Sequence, residues 1–278
     1  EKQRAFNIRS KAFKKLDRLL VDFDTNFTNK GGKLLWANDA EEAKKMIYDI
    51  LNQNKVNKII KTKSSTLEEI RLTSYLEMKK IKVVDTNIGD FICSVFTERP
   101  YSFKSSAAHK NTDQIADIYT NQFGVKENLN AKQLTIYTKN ILRKEVYNPE
   151  ALITGANFLI SNTGSIVFTE NEGNILKSTS FAPIHIIVAG IDKMITSIDE
   201  LSVLLPLSSL YDNNKNISSL YSIINSPSNN EDKVQNLYLI LLNNNRTNIL
   251  SKEKQRNILS CIQCGACFEV CPIYNIVG

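Results

Sequence analysis

Residues 33–84 read KLLWANDAEEAKKMIYDILNQNKVNKIIKTKSSTLEEIRLTSYLEMKKIKVV, and this stretch decides the fold. Three short apolar runs, Lys33 to Ala37, Lys58 to Lys61 and Ile81 to Val84, have the length of buried strands. The two segments between them have the length and spacing of helices. A strand, helix, strand, helix, strand run with short connections predicts a parallel sheet with helices on its faces.

Capping signals define where the two helices begin. Asn38 with Glu41 predicts a capping box for a helix that ends near Gln53, and Thr66 with Glu69 predicts one for the next helix. Each box follows directly on a predicted strand. We therefore expect both helix N-termini at the carboxyl edge of the sheet.

The flanking sequence extends this pattern in both directions. Residues 1–29 have helical spacing of apolar residues and are predicted as one helix that ends at Gly31-Gly32. Further predicted elements are a helix capped by Asn111 with Gln114, a helix over residues 130–147, a strand, tight turn and strand over Ile153 to Phe168, a buried strand over Ile184 to Val188, a helix opened by Ser197 with Glu200, and a last strand over Leu237 to Leu242. We expect a three-layer α/β domain with a parallel sheet over residues 1–242.

Composition excludes several classes of protein. Hydrophobic residues make up 42% and charged residues 23% of the 278 positions, and no apolar run approaches a membrane span. The net charge of +6 is spread along the chain, so it gives no support to nucleic-acid binding. No secretion signal precedes the first helix, and we expect a cytoplasmic protein. Because the chain begins without Met, a few N-terminal residues are expected to be missing.

Four cysteines crowd into the last eighteen residues. Cys261, Cys264, Cys267 and Cys271, followed by Pro272, have the spacing C-x2-C-x2-C-x3-C-P, which is the bacterial ferredoxin signature for [4Fe-4S] clusters. Gly265 allows the tight wrapping that such a loop needs. A zinc knuckle and a redox dithiol remain the alternatives. The sequence predicts these four cysteines as metal ligands.

Ligand counting limits this prediction. In two-cluster ferredoxins the fourth cysteine of each run ligates the other cluster, and no second run exists here. The fifth cysteine, Cys93, lies in an apolar stretch and is expected in the core. We therefore expect residues 243–278 to be a connector and the first half of a ferredoxin-type module, truncated at the C-terminus. The intact parent would hold two clusters, and this fragment an incomplete set.

Several motifs resemble a known family. They are Lys63 to Ile70, Ala108 to Lys110, Thr154 to Asn174, Pro183 to Lys193 and Leu242 to Arg246, and they resemble the LUD domain of the lactate utilization B family in the family's order. The resemblance implies a fold like that of the sugar-phosphate isomerase and CoA-transferase superfamily, followed by a ferredoxin-like α-helical iron–sulfur module. It also implies partner subunits in a complex that oxidises L-lactate to pyruvate.

Two polar loops are candidate substrate-binding segments. Lys63, Ser64, Ser65 and Thr66 lie between a strand and a helix, where a carboxylate such as a small 2-hydroxy acid, or a phosphate, would fit. The other interpretation is that Thr66 only caps the helix. The loop lacks the Gly-rich phosphate-binding motif, which argues against a nucleotide as its ligand.

The second loop, Glu170-Asn171-Glu172-Gly173-Asn174, resembles the Glu-containing turn of CoA transferases, although such a composition is also that of a plain turn. We expect the two loops to meet at the carboxyl edge, with Gly164 nearby. Of the two histidines, His185 is expected in the core and His109 in a loop.

These observations leave two main functions open, and the catalytic residues unknown. The first is an iron–sulfur electron-transfer subunit, because one-electron carriers need no nearby acid or base. The second is an acyl- or sugar-phosphate-type enzyme that uses Glu170 or Glu172, with an accessory cluster module. A purely structural metal module is a third. No flavin or nicotinamide motif is present, so a hydride acceptor would lie in another subunit.

Overall fold

The computed structural model describes residues 1–101, 106–125, 129–147, 149–170, 173–213, 220–230 and 233–277. Its strands are β1 Lys33–Ala37, β2 Lys58–Lys61, β3 Lys82–Asp85, β4 Ala151–Thr154, β5 Phe158–Ile160, β6 Ser165–Glu170, β7 Ile184–Gly190, β8 Met194–Ile195, β9 Leu220–Ile224, β10 Asn229–Asn230, β11 Lys233–Val234 and β12 Asn236–Leu242. Its helices are α1 Lys2–Phe13, α2 Leu16–Thr28, α3 Ala40–Gln53, α4 Ser65–Glu69, α5 Leu72–Met78, α6 Ile88–Val95, α7 Thr112–Phe123, α8 Ala131–Val146, α9 Asn174–Phe181, α10 Leu201–Asn213, α11 Arg246–Ser251, α12 Ala266–Val270 and α13 Tyr274–Val277.

The central sheet has six strands in the order β1-β12-β7-β4-β2-β3, and every neighbouring pair is parallel. All seven residues of β7 are buried, as expected for a strand that is covered on both faces. The parallel α/β sheet predicted from the sequence is confirmed.

Alternate residues of the strands enter different hydrophobic clusters. Ile59 and Val188 pack with α3, α4 and α5 on one face. On the other face Ile187 packs with α2, and Ile60 packs with α6, α7 and α8. The sheet is therefore the middle of three layers.

A second sheet of four strands, in the order β8-β5-β6-β9, packs on the α2 side of the central sheet. Strands β5 and β6 are an antiparallel pair joined through Gly164, whose φ is +60°. The predicted strand, turn and strand over Ile153 to Phe168 is thus divided between the two sheets. Residues Ile153 and Thr154 belong to the central sheet, and the hairpin begins at Phe158.

The N-terminal segment is two helices, and the prediction of one helix over residues 1–29 is wrong. Lys15 leaves the helical conformation with φ −127°. Each helix covers a different part of the core, since α1 packs against β8 and α10 and α2 packs against the central sheet. One straight helix would not reach both surfaces.

The predicted capping boxes are correct for α7 and shifted for α3 and α4. Asn111 and Gln114 form the predicted box. Helix α3 is capped by Asp39, which accepts from Glu42 N–H at 2.9 Å, and α4 is capped by Ser64. Thr66 is therefore inside α4, where its side chain is buried. Ser197 does not cap α10 either, because a short 3₁₀ turn, Ile198–Glu200, precedes that helix.

None of the helices in the described ranges is long and apolar enough to cross a membrane.

Candidate functional site

A cleft of about 1200 Å³ opens at the carboxyl ends of β2, β3 and β4. Its floor comes from the segments that follow these strands, Thr62 to Ser65, Thr86 to Asn87 and Gly155 to Asn157. One wall comes from the second sheet, and another from Ile262, Gln263, Phe268 and Tyr274 of the cysteine-bearing segment. In open α/β sheets ligands bind at this edge.

A buried lysine lies on the cleft floor. Lys61 ends β2, has a side chain only 3% exposed, and pairs with Asp85 at 2.9 Å and Glu68 at 2.7 Å. Burial opposes its positive charge, but the two carboxylates outweigh that effect and raise the pKa of Lys61. The lysine is therefore a fixed cation and not a general base. Lys61 is not among the residues predicted from the sequence, although an ionisable residue that ends a buried strand is a usable signal.

Three of the four predicted residues 63–66 line the cleft. Lys63 Nζ donates to Ser106 Oγ at 3.1 Å, and Ser65 Oγ donates to Gln263 Oε1 at 2.7 Å. Ser64 caps α4 and approaches Gly155 so closely that a Cβ at position 155 would collide with its side chain. Thr66 is the exception, since it is buried beneath the loop.

The second predicted loop reaches the same cleft through Glu170, as expected. Both carboxylate oxygens of Glu170 accept backbone N–H groups, from Ile175 at 2.6 Å and Leu176 at 2.9 Å, so they cap α9. Glu170 comes from the second sheet, not from the parallel sheet. Asn171 and Glu172 lie outside the described residues.

The remaining predicted binding residue, Gly164, is not among the residues that line the cleft. A Cβ at this position would collide with the backbone of Asn26 and Phe27 in α2. The close approach of the β5–β6 turn to that helix therefore accounts for this glycine.

A second charged cluster lies beside the cleft, beyond the ends of β7 and β12. Arg246 pairs with Asp192 and with Glu69, whose Oε2 lies 2.8 Å from its Nη2. Arg9 donates to the carbonyl oxygens of Asp192 and, at 3.2 Å, of Met194. Burial raises the pKa of Asp192, but the cations around it reverse this effect and hold that pKa below its ordinary value. Asp192 and Arg246 lie in two segments that carry the family resemblance, but the sequence alone predicts no role for either residue.

Lys193 joins this cluster to the cysteine-bearing segment. Its side chain is buried, and its Nζ donates to Gln263 Oε1 at 2.7 Å. Burial lowers the pKa of Lys193 to about 8. The ammonium group is therefore protonated at neutral pH.

The four predicted metal ligands lie in the segment that forms the cleft wall. Cys261 and Cys267 are exposed, and Cys264 and Cys271 are half-buried. Two backbone amides point at sulfur, because Gln263 N–H donates to Cys261 at 3.3 Å and Tyr274 N–H donates to Cys271 at 3.5 Å.

These cysteines fit an iron–sulfur cluster in their chemistry. Thiolates that receive N–H···S hydrogen bonds are the usual ligands of such clusters. Within the described part of the chain, no three His, Cys, Asp or Glu side chains converge closely enough to hold a metal ion. The residue types of this donor set thus fit an iron–sulfur cluster.

The two histidines and the fifth cysteine lie in environments that indicate structural roles. His185 is buried in β7, contacts Thr154 Oγ1 at 2.9 Å, and stacks on Phe168. Burial lowers the pKa of His185 to about 3, so it is a neutral core residue, as predicted. Cys93 is also in the core, whereas His109 lies near the surface against Glu98 at 2.8 Å.

Comparisons with known proteins identify relatives of this chain. The family model of the LUD domain matches residues 20–240. Lactate utilization protein B of Geobacillus sp. (strain WCH70) is 32% identical over 274 residues, which are 98% of this chain and 58% of that protein. Lactate utilization protein B of Bacillus licheniformis is 33% identical over 277 residues, 99% of this chain and 58% of that protein.

The chain thus spans a little more than half the length of these relatives. Among solved structures, a DUF162 family protein from Deinococcus radiodurans aligns with a TM-score of 0.44 and 12% identity, over 82% of this chain and 98% of that one. The family model covers most of the chain, and the two relatives match nearly all of it above 30% identity. The chain therefore belongs to the LUD domain family.

Proposed function

We propose that this chain is the iron–sulfur electron-transfer part of a protein of lactate utilization, in which the cysteine run holds a [4Fe-4S] cluster beside the LUD-domain cleft. The observation that carries the proposal is the position of the cysteine run. Gln263, between Cys261 and Cys264, contacts Ser65 on the cleft floor and Lys193 at the sheet edge. A cluster held by this run would lie at the place where α/β proteins bind their ligands.

Cys261, Cys264 and Cys267 would bind three irons of one cluster, and Cys271 would serve a second cluster in a complete ferredoxin-type module. Such a cluster supplies one-electron transfer. The chain's own residues have two further tasks, since the amides of Gln263 and Tyr274 stabilise thiolate charge and the cleft holds a ligand nearby. Oxidation of L-lactate to pyruvate would need partner subunits that accept the hydride.

For the cleft, we propose a small carboxylate such as a 2-hydroxy acid. Lys63, Ser64 and Ser65 supply an ammonium and hydroxyl groups at its floor, and Asn157 and Thr169 add polar groups from the second-sheet side. Ammonium and hydroxyl donors are suited to a carboxylate with a neighbouring hydroxyl. The acyl-transfer alternative is less well supported, because both oxygens of Glu170 are engaged in capping α9.

Anaerobic reconstitution of the 278-residue chain with iron and sulfide tests the cluster. We expect iron and acid-labile sulfide in equal amounts, not exceeding one cubane per chain, and a paramagnetic signal after reduction. Cys264→Ser should lose most of the bound iron. The matched control is Cys93→Ser, which removes the core thiol and should retain it. Tightly bound zinc without sulfide, or unchanged iron in Cys264→Ser, would contradict the proposal.

Titration with L-lactate, followed by calorimetry, tests the cleft. Lys63→Ala should weaken binding about tenfold, the usual loss for one charged hydrogen bond to a carboxylate. Lys82→Ala is the control, because Lys82 begins β3 at the opposite edge of the sheet. Equal affinities of the two variants would overturn the carboxylate proposal.

A further inference from the structure

Contacts made by Leu259, Ile262 and Gln263 join the cysteine-bearing segment to the LUD domain. Arg9 Nη2 donates to the carbonyl oxygen of Leu259 at 3.2 Å. Ile262 packs on the hydrophobic cluster that contains Ala5 and Leu204. Gln263 Oε1 accepts from both Lys193 and Ser65 at 2.7 Å. The contacts come from α1, α4, α10 and the turn that follows β7, so the segment has a defined place on the domain.

The conformation of Gln263 indicates that these contacts act together. Gln263 has φ +60°, in the left-handed region that is unfavourable for a residue with a Cβ. In this conformation the side-chain carboxamide of Gln263 accepts two hydrogen bonds, and one of them comes from the buried ammonium group of Lys193. Burial of an ammonium is costly unless it has hydrogen-bond acceptors. The turn at Gln263 supplies one to Lys193.

We propose that Arg9, Lys193 and Ser65 form a latch that holds the cysteine run on the carboxyl edge of the sheet, and that Arg9 and Lys193 are positioning residues for the cluster. Arg9 contacts Leu259 at 3.2 Å and Lys193 contacts Gln263 at 2.7 Å, so the two cations bond to residues two positions before and two positions after Cys261. The latch is a property of the chain itself. Its effect on a cluster rests on the function proposed above.

The positions of the two cations have a redox consequence. Thiolate-bound clusters are anionic and become more so when they accept an electron, so adjacent cations favour the reduced form. Arg9 and Lys193 are inside the protein and are screened little by solvent. Removal of one cation should make the cluster harder to reduce.

The latch itself is tested on the metal-free, reduced 278-residue chain by hydrogen exchange of residues 259–268. Gln263→Leu removes the acceptor from an exposed side chain and leaves the buried lysine in place. We expect exchange in this segment to become about fivefold faster, as for the loss of one to two net hydrogen bonds. Gln263→Glu keeps an acceptor for Lys193 and should exchange like the parent chain. Gln255→Leu, an exposed glutamine on the connector, is the matched control.

Exchange that is unchanged in Gln263→Leu, or equally fast in the Gln255→Leu control, would overturn the latch.

The effect of the two cations on a cluster is tested separately, by measuring the midpoint potential of the reconstituted chain. Lys193→Gln should shift the potential to more negative values, and Lys193→Arg should restore it, which a merely structural role would not do. If no variant and no parent chain binds a cluster, the proposed function fails while the exchange result still decides the latch.

Discussion

At the scale of single residues, buried charged side chains contribute to the stability of this chain through their ion pairs. Lys61 is the clearest case, because it pairs with Glu68, which is half exposed, and with Asp85, which is nearly as buried as the lysine. Removing one partner of a buried pair leaves the other charge without compensation. We predict that Lys61→Met lowers the free energy of unfolding by about 3 to 5 kcal/mol, measured by urea denaturation at neutral pH.

The control for this prediction is on the same strand. Lys58 pairs with Glu145 at 2.8 Å, but both side chains are about one-quarter exposed, so Lys58→Met should cost about 1 kcal/mol or less. Adding Asp85→Asn to Lys61→Met should recover part of the stability, because the uncompensated carboxylate is then gone. A double variant no more stable than Lys61→Met would show that the loss comes from packing instead of charge.

His185 predicts a pH dependence at the same scale. Its pKa in the folded protein is about 3, below the ordinary value of 6.5, so the unfolded chain binds a proton that the folded chain does not. Above about pH 6.5 the neutral core histidine therefore costs the folded state no stability. As the pH falls from there towards 3, protonation of the unfolded chain progressively lowers the free energy of unfolding. We predict a loss of about 2 kcal/mol between about pH 7.5 and about pH 5 from this group.

The comparison variant is His185→Gln, which can still contact Thr154 but does not titrate. Urea unfolding of this variant at the two pH values should show a change smaller than that of the parent by about 2 kcal/mol. His109→Gln should keep the full change, since His185 is intact. The same pH change in parent and His185→Gln chains would contradict the assignment.

At the scale of elements, the sequence predicts the central sheet well and the second sheet poorly. Strands such as Ile184–Gly190 are continuously apolar because both faces are covered, and that pattern is visible in the sequence. Strands Phe158–Ile160 and Met194–Ile195 have three and two residues, too short for any periodicity. Their pairing depends on contacts with distant segments, such as Leu159 with Met194.

The N-caps predicted for α3 and α4 lie one and two residues from the observed caps, and these errors have local causes. Asn38 and Asp39 are both good caps, as are Ser64 and Thr66, so composition alone does not choose between neighbours. The structure chooses Ser64, where the loop packs against Gly155.

The close approach of the α4 loop to the end of β4 makes a prediction at this scale. A Cβ at position 155 would collide with the side chain of Ser64, so we expect Gly155→Ala to cost about 1 to 3 kcal/mol of unfolding free energy. Ser64→Gly alone should cost only a few tenths of a kcal/mol, because glycine is a tolerable N-cap. In the Ser64→Gly background the Gly155→Ala cost should largely disappear. Additive losses in the double variant would exclude this contact as the reason for glycine.

At the scale of the whole molecule, the sequence predicts that the two polar loops meet, but it does not predict the ion pairs that connect distant segments. The Lys63 to Ser65 loop and Glu170 do reach one cleft, although Glu170 ends a strand of the second sheet and not of the parallel sheet. The ion pairs of Arg246 with Asp192 and Glu69 connect residues that lie 54 and 177 positions apart. No local pattern encodes such a network, since each partner taken alone resembles an ordinary surface charge.

This network also bears on where the LUD domain ends. The sequence places the boundary near Leu242, and that boundary stays a prediction. Arg246 follows it, yet its guanidinium is almost buried against Asp192 and Glu69. The Leu259 carbonyl oxygen likewise contacts Arg9. The physical unit formed by these contacts therefore extends into the connector, up to about residue 260.

Two shortened chains separate these boundaries. A chain of residues 1–242 lacks Arg246 and leaves the buried Asp192 with fewer cations, so we predict that it is less stable than a chain of residues 1–260 by about 3 to 5 kcal/mol. Urea unfolding of both chains, with the 278-residue chain as reference, measures the difference. Within residues 1–260, Arg246→Met should reproduce most of the loss, whereas Lys252→Met, an exposed change on the same connector, should leave stability within about 0.5 kcal/mol. Equal stability of the two shortened chains would place the boundary at Leu242 and reduce the Arg246 network to a surface feature.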